Sequence, residues 1–93
     1  MNNQNQTDRL SELRSRIDEI DGELLKLFLE RMDISSAVAD YKRSTGMAVL
    51  DPVREKQVLK DKTDRLSDKS RENEVYEFFS SIMSISRDRQ NRE

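Results

Sequence analysis

Seven polar residues interrupt or border the apolar positions of this sequence and are the candidates for chemistry: Arg14, Arg31, Lys42, Arg54, Glu55, Ser86 and Gln90. The cations among them can bind small anions, and an arginine holds a carboxylate through a planar fork of donors. Histidine and cysteine are both absent. Their absence excludes disulfides, Cys/His metal sites, cysteine nucleophiles and histidine general bases. Any chemistry must therefore come from charged, hydroxyl and amide side chains.

Arg31 occupies a position where the apolar periodicity predicts a hydrophobic residue. A buried, unpaired guanidinium is very costly, so a protein carboxylate or an anionic ligand is expected to face it. Lys42 follows eleven residues later, or three helical turns, and returns to nearly the same face at a Cα distance of ~16 Å. Two long side chains can close most of that gap around one small ligand. The apolar seam that Arg31 interrupts has steps of three and four residues, and consists of Leu10, Leu13, Ile17, Ile20, Leu24, Leu27, Ile34, Val38 and Tyr41.

Each of these polar residues also has a purely structural interpretation. An isolated arginine in a helix seam is more often part of a structural salt bridge, or a device that fixes helix register. Ser86 and Gln90 could be an ordinary polar helix end, and Glu55 a solvated surface residue. Asp51 is sufficiently explained as a helix cap. The residues alone leave both interpretations open.

The seam predicts one long helix that begins at Thr7 or Asp8 and runs to about Arg43. It would contain roughly 37 residues and measure about 55 Å. Gly46 can end it. Residues 1–6 are polar amides apart from Met1, and we expect them to be a disordered tail, followed by a helical domain over residues 7–93.

Two shorter helices are predicted after the long one. Asp51 and Pro52 form a strong helix start, with the aspartate as N-cap and the proline at the first helical position. That helix should run to about Thr63, and a third from Ser67 or Asp68 to about Gln90. No stretch predicts a strand, so the fold class is all-α with three helices per chain.

The predicted long helix implies a second copy of the chain. A compact chain of 93 residues has a diameter of only ~30 Å, so a lone helix of this length would leave its seam in water. A homodimer is the simplest way to cover the seam. Arg14 is too far from Lys42 along the helix to share its site, at ~42 Å. In an antiparallel dimer Arg14 could reach the partner's site, which predicts two composite sites.

The charge and hydropathy of the sequence limit the classes of binding partner to be expected. Lys and Arg number 17 against 19 Asp and Glu, a formal net charge of -2, which provides no electrostatic footprint for nucleic acid or an anionic membrane. No stretch is long and apolar enough to span a membrane. The N-terminus has neither the basic region nor the apolar run of a signal peptide. The expected location is the cytoplasm.

Taken together in order, four segments resemble the all-helical chorismate mutases. Residues 13–25, LRSRIDEIDGELL, resemble the family's opening "LR..ID.ID..LL". Glu30-Arg31 followed by VADYK at 38–42 resembles its "ER…V…K" segment, and DPVRE at 51–55 resembles its "D..RE" helix start. Ser86 with Gln90 matches its closing Ser/Gln pair. The resemblance covers roughly residues 8–90.

The resemblance implies an intertwined all-α homodimer with two shared active sites. It implies the Claisen rearrangement of chorismate to prephenate, on the route to phenylalanine and tyrosine, with no cofactor and no metal. Arg14 of one chain and Arg31 of the other would grip the substrate carboxylates. Lys42 would reach a carboxylate and the ether oxygen, and Gln90 would donate to the same oxygen.

The resemblance assigns the remaining candidates to the binding of the substrate. Glu55 and the Asp51 backbone would hold the ring hydroxyl, Ser86 would assist a carboxylate, and Arg54 would line the site and support Glu55. Val38 and Met83 would form its apolar walls. Arg87 stands where the family more commonly has an apolar residue, which predicts an altered pocket rim. Gln90 lies three residues from the C-terminus, where fraying would loosen it.

Two other functions stay open. An isochorismate pyruvate-lyase resembles this fold and uses the same carboxylate grips. A non-enzymatic helical dimerisation module would use the polar seam residues only to fix register. Gln90 lies close to the C-terminus, so the chain could be a domain of a longer bifunctional enzyme. It could also form a complex with another shikimate or aromatic-pathway enzyme.

Overall fold

The computed structural model describes residues 3–92, with side chains from residue 8 onward. It has three α-helices, α1 (Asn3–Ser44), α2 (Pro52–Asp64) and α3 (Glu72–Arg92), and a short 3-10 helix at Lys69–Arg71. The described residues contain no strand, and the predicted all-α class is confirmed. The chain divides into two compact units, Met1–Asp33 and Ile34–Glu93.

The long helix begins earlier than the sequence predicted. α1 starts at Asn3 rather than at Thr7 or Asp8, because no proline or glycine precedes Gly22 and glutamine is a good helix former. Of the tail expected over residues 1–6, residues 1 and 2 lie outside the described part of the chain. The helix start predicted at Thr7 or Asp8 is therefore corrected to Asn3.

Gly46 ends α1 as predicted, through a specific hydrogen-bonding motif. Its φ of +74° is in the left-handed region. The Met47 N–H donates to the Lys42 carbonyl at 2.8 Å, and the Gly46 N–H donates to the Arg43 carbonyl at 3.3 Å. This is the Schellman arrangement, which satisfies carbonyls that a helix end would otherwise leave unpaired. This motif reverses the chain direction at Gly46, one helical turn after Lys42.

The first unit leaves its part of the apolar seam exposed. The six seam residues from Leu10 to Leu27 retain between 43% and 57% of their accessible surface. Burying apolar surface is worth ~25 cal/mol per Å². The seam therefore has substantial free energy to gain from a further packing partner.

The second unit packs α2 against α3 around a small core. Ala39 of α1 and Ile82 and Met83 of α3 are its buried apolar residues. α2 begins as predicted, since the Asp51 carboxylate accepts the Arg54 N–H at 3.0 Å and Pro52 takes the first helical position. α2 ends at Asp64, one residue beyond the predicted Thr63.

The start of the third helix differs from the prediction. Asp68 is a cap, but it caps the 3-10 helix: its carboxylate accepts the Ser70 N–H at 3.0 Å and the Ser70 hydroxyl at 2.6 Å. These two bonds hold the pKa of Asp68 below its usual range, with the hydroxyl bond contributing most. α3 begins only at Glu72. Among the described helices, none has the length and apolarity needed to cross a membrane.

Candidate active site

Lys42 is held where α1 ends and α2 begins. Its Nζ donates to the Val49 carbonyl at 3.3 Å and lies 3.8 Å from Asp51 Oδ2. The Lys42 side chain retains only 15% of its exposure. The turn at Gly46 brings this about, because it folds residues 47–50 back toward the last turn of α1. The ammonium is thus fixed in place and partly shielded from water.

Asp51 has two roles in this arrangement. Its Oδ1 caps α2 by accepting the Arg54 N–H, while Oδ2 faces the Lys42 ammonium. The cap interpretation of Asp51 is correct, and the carboxylate also compensates the charge of Lys42. The Arg54 side chain is exposed.

Glu55 forms an ion pair with Arg87 of α3. The Glu55 side chain is 28% exposed and that of Arg87 is 39% exposed, so the pair is partly buried. The pair links the first turn of α2 to the last turns of α3. The family resemblance predicts that Arg54 supports Glu55 and that Arg87 lies on the pocket rim. In the structure, Arg87 is the charged partner of Glu55.

Ser86, which precedes Arg87 in the sequence, is buried. Its hydroxyl donates to the Ile82 carbonyl at 3.0 Å, one turn earlier in α3. A hydroxyl has one hydrogen to donate and two lone pairs that accept. Ser86 would have to leave the Ile82 carbonyl before it could donate to a ligand carboxylate.

Gln90 is hydrogen-bonded to α1. Its Nε2 donates to the Ser35 carbonyl at 3.1 Å and to the Ser35 hydroxyl at 3.0 Å. The Arg43 guanidinium donates to the Gln90 carbonyl at 2.6 Å, and Arg89 Nε donates to the Ser36 hydroxyl at 3.0 Å. The fraying expected at Gln90 stays a prediction, and these hydrogen bonds oppose it.

These contacts connect three segments of the second unit in a ring. α1 meets the start of α2 through Lys42 and Asp51, α2 meets α3 through Glu55 and Arg87, and α3 returns to α1 through Gln90. Each of the two ion pairs in it joins one cation to one carboxylate. In the described residues, no group of three or more possible ligands is arranged to hold a metal ion.

The two remaining predicted arginines belong to the first unit. Arg14 is exposed on α1, and Arg31 is half-buried. Of the predicted apolar walls, Met83 is buried while Val38 retains 43% of its surface.

Sequence reasoning missed two residues that contact Gln90: Ser35 and Arg43. A local signal existed for one of them. Ser35 precedes Lys42 by seven residues, nearly two full turns, and so lies on the same strip of α1. No comparable spacing identifies the partners of Arg43 and Arg89, because those pairs depend on how α3 packs against α1.

Comparison with known proteins identifies the family. The model of the family "Chorismate mutase type II" matches residues 13–91. A chorismate mutase of Methanocaldococcus jannaschii is 43% identical over 51 residues, which are 55% of this chain and 52% of that protein. The T-protein of Haemophilus influenzae is 41% identical over 46 residues, 50% of this chain and 12% of that protein. The matches thus span about half the length of the first relative and less of the second. With the family model matching nearly all of the chain, the chain belongs to the chorismate mutase type II family.

Proposed function

We propose that this chain is a chorismate mutase, which converts chorismate to prephenate by an intramolecular Claisen rearrangement. The observation that carries the proposal is the meeting, within one unit, of segments that match the family's motifs. Lys42 contacts Asp51, Glu55 contacts Arg87, and Gln90 contacts α1. Membership of the family supports the same activity.

The reaction suits the side chains available. One C–O bond breaks and one C–C bond forms within a single molecule, so no base, nucleophile, cofactor or metal is needed. The site must hold two substrate carboxylates in a folded conformer and stabilise the negative charge that grows on the ether oxygen. Lys42 and Gln90 are the proposed donors to that oxygen. Preorganised donors of this kind are worth ~3–4 kcal/mol each.

The other candidates would bind and orient the substrate. In this proposal Arg31 grips a substrate carboxylate and is a catalytic residue together with Lys42 and Gln90. Glu55 and the Asp51 backbone take the ring hydroxyl. The proposed binding residues come from all three helices. They are Arg14, Arg31 and Lys42 of α1; Asp51, Arg54 and Glu55 at the start of α2; and Ser86 and Gln90 of α3.

A homodimer with shared sites completes the proposal. The exposed seam of the first unit supports it, since a second copy offers the same apolar stripe in return. Arg14 would then enter the partner's site. The location proposed is the cytoplasm. The small share of the Haemophilus T-protein that matches shows such a segment inside a longer protein, which supports fusion to, or a complex with, another aromatic-pathway enzyme.

The test is to add chorismate to the purified chain, follow the loss of its absorbance, and identify the product by chromatography. We expect prephenate, and we expect Lys42→Ala to lower kcat by about 100-fold or more. Lys60→Ala is the matched control, because Lys60 lies on the exposed face of α2 and should leave turnover unchanged. Untouched chorismate would refute the proposal. Conversion of isochorismate instead would identify a pyruvate-lyase, and a folded dimer inert to both would favour the dimerisation module.

A further inference from the structure

The Gln90 side chain has a fixed orientation. A side-chain amide has a donating nitrogen end and an accepting oxygen end. The Ser35 carbonyl can only accept, and it lies 3.1 Å from Gln90 Nε2. Turning the amide over would place two acceptors against each other. The Ser35 hydroxyl, 3.0 Å from the same nitrogen, adds a second acceptor on the same side.

The last turn of α3 is held by the same stretch of α1. α3 ends at Arg92, so the Gln90 carbonyl is among the last four, which have no partner within the helix. The Arg43 guanidinium donates to this carbonyl at 2.6 Å, and a cation at a helix C-terminus is favourable. Backbone and side chain of Gln90 are therefore both anchored on α1.

Ser35 and Lys42 share one strip of α1. Ser35 precedes Lys42 by seven residues. In an α-helix this spacing corresponds to a rotation about 20° short of two full turns and a rise of about 10 Å along the axis. The residue that orients the amide thus lies on the same strip as the ammonium. The two proposed donors to the ether oxygen have their placement set by one helix.

We propose that Ser35 is a positioning residue for Gln90. In this proposal, the carbonyl and hydroxyl of Ser35 share one amide hydrogen in a three-centre bond. The second hydrogen of Nε2 then donates to the ether oxygen of the substrate. This inference rests on the proposed function, and it assigns to Ser35 a role in the alignment of the donor rather than in contact with substrate.

The first experiment compares Ser35→Ala with Ser36→Ala in the chorismate assay. Ser35→Ala removes one acceptor of the Gln90 amide, and we expect kcat to fall about two- to tenfold with little change in KM. Ser35→Thr keeps the hydroxyl and should restore kcat. Ser36→Ala removes an acceptor of Arg89 instead and should leave kcat unchanged. Far-UV circular dichroism and thermal unfolding check that each variant folds.

A double-mutant cycle separates alignment from general stability. In a Gln90→Ala background, Ser35→Ala should cause no further fall in kcat, because the group that it aligns is gone. An equal fall in both backgrounds would overturn the inference, and so would unchanged kcat in Ser35→Ala or equal losses in Ser35→Ala and Ser36→Ala.

A spectroscopic measurement tests Ser35 even if the proposed function fails. In 15N-resolved NMR spectra, the Gln90 side-chain NH2 signals can be assigned by their loss in Gln90→Ala. Ser35→Ala should shift them, and Ser36→Ala should not. Signals that respond equally to both variants would refute the orientation by Ser35. Absence of prephenate from the wild-type chain would refute the function alone.

Discussion

The ion pair between Glu55 and Arg87 should be worth measurably more than a surface pair. It joins α2 to α3, so its loss weakens a contact between helices as well as a contact between charges. The perturbation is Arg87→Met, which removes the cation and keeps an apolar stem of similar length. Glu55→Gln is its counterpart, because it removes the charge and keeps the shape.

The coupling free energy of the pair depends on how far its two side chains are buried. Exposed pairs typically couple by about 0.2–1 kcal/mol, and removal of one partner from a fully buried pair costs about 3–5 kcal/mol. With Glu55 28% and Arg87 39% exposed, the pair lies between these cases, and water still screens Arg87. We expect a coupling free energy of about 1 kcal/mol, which is at the top of the range for exposed pairs and above the ~0.3–0.5 kcal/mol of an exposed i,i+4 pair such as Lys60–Asp64.

The assay is urea unfolding of the wild type, both single variants and the double variant. All are measured at one protomer concentration, because the stability of an oligomer depends on it. The control is the same cycle for Lys60 and Asp64, whose side chains are 77% and 60% exposed and 2.6 Å apart within α2. A coupling at Glu55–Arg87 no larger than at Lys60–Asp64 would refute the reasoning.

The same variant tests the proposed binding of the ring hydroxyl. If Arg87 holds Glu55 in place for the substrate, Arg87→Met should raise KM about fivefold, the equivalent of ~1 kcal/mol. Lys60→Met should not change KM. A lower KM in Arg87→Met would mean that the pair restrains Glu55 from the substrate, and would reverse the role assigned to Arg87.

Three further predictions concern stability and assembly. Gly46→Ala should destabilise the fold by about 1 kcal/mol, because a φ of +74° is unfavourable for alanine even though its Cβ would meet no atom within 4 Å. Gly22→Ala is the control, since a Cβ at Gly22 inside α1 would also meet no atom within 4 Å. It should stabilise the fold by about 0.5–1 kcal/mol in chemical denaturation. The pKa of Asp68 is lowered on folding. The stability that it contributes is therefore complete above the usual aspartate pKa and is lost as pH falls through the lowered value. A difference in unfolding free energy between wild type and Asp68→Asn that persists below that value would contradict this. Mixing inactive Arg14→Ala and Arg31→Ala chains should recover about a quarter of wild-type activity through hybrid dimers, whereas no recovery despite subunit exchange proven by mass spectrometry would refute shared sites.

The sequence predicted those parts of the fold that local chemistry decides. Asp51 and Pro52 start α2, and Gly46 ends α1, because a cap, a fixed φ and a left-handed turn act within a few residues. The seam fixed the existence of α1 but not its first residue, since Asn3 to Gln6 contain nothing that stops a helix. The 3-10 helix before α3 was not predicted, because Asp68 caps either kind of turn equally well.

The sequence proposes candidate residues for the site but does not predict their contacts. The candidates were proposed because their order and spacing resemble those of a family. The partners could not, since Gln90 meets Ser35 across 55 positions of sequence and Glu55 meets Arg87 across 32. Serine and arginine are common on helix surfaces, and only the packing of α3 on α1 and α2 decides which of them touch.

The contacts of the second unit bear on how a substrate could be selected. Three proposed donors each contact a protein acceptor in this structure: Lys42 the Val49 carbonyl, Ser86 the Ile82 carbonyl, and Gln90 Ser35. Ser86 has one hydrogen, so a ligand that takes it must replace the bond to Ile82, whereas Lys42 and Gln90 have further hydrogens to donate. A neutral ligand would therefore gain little from Ser86. A dicarboxylate gains more, because hydrogen bonds to charged groups are about twice as strong as neutral ones. We therefore expect the site to discriminate by ligand charge, with an ester of either substrate carboxylate binding much more weakly than the free acid.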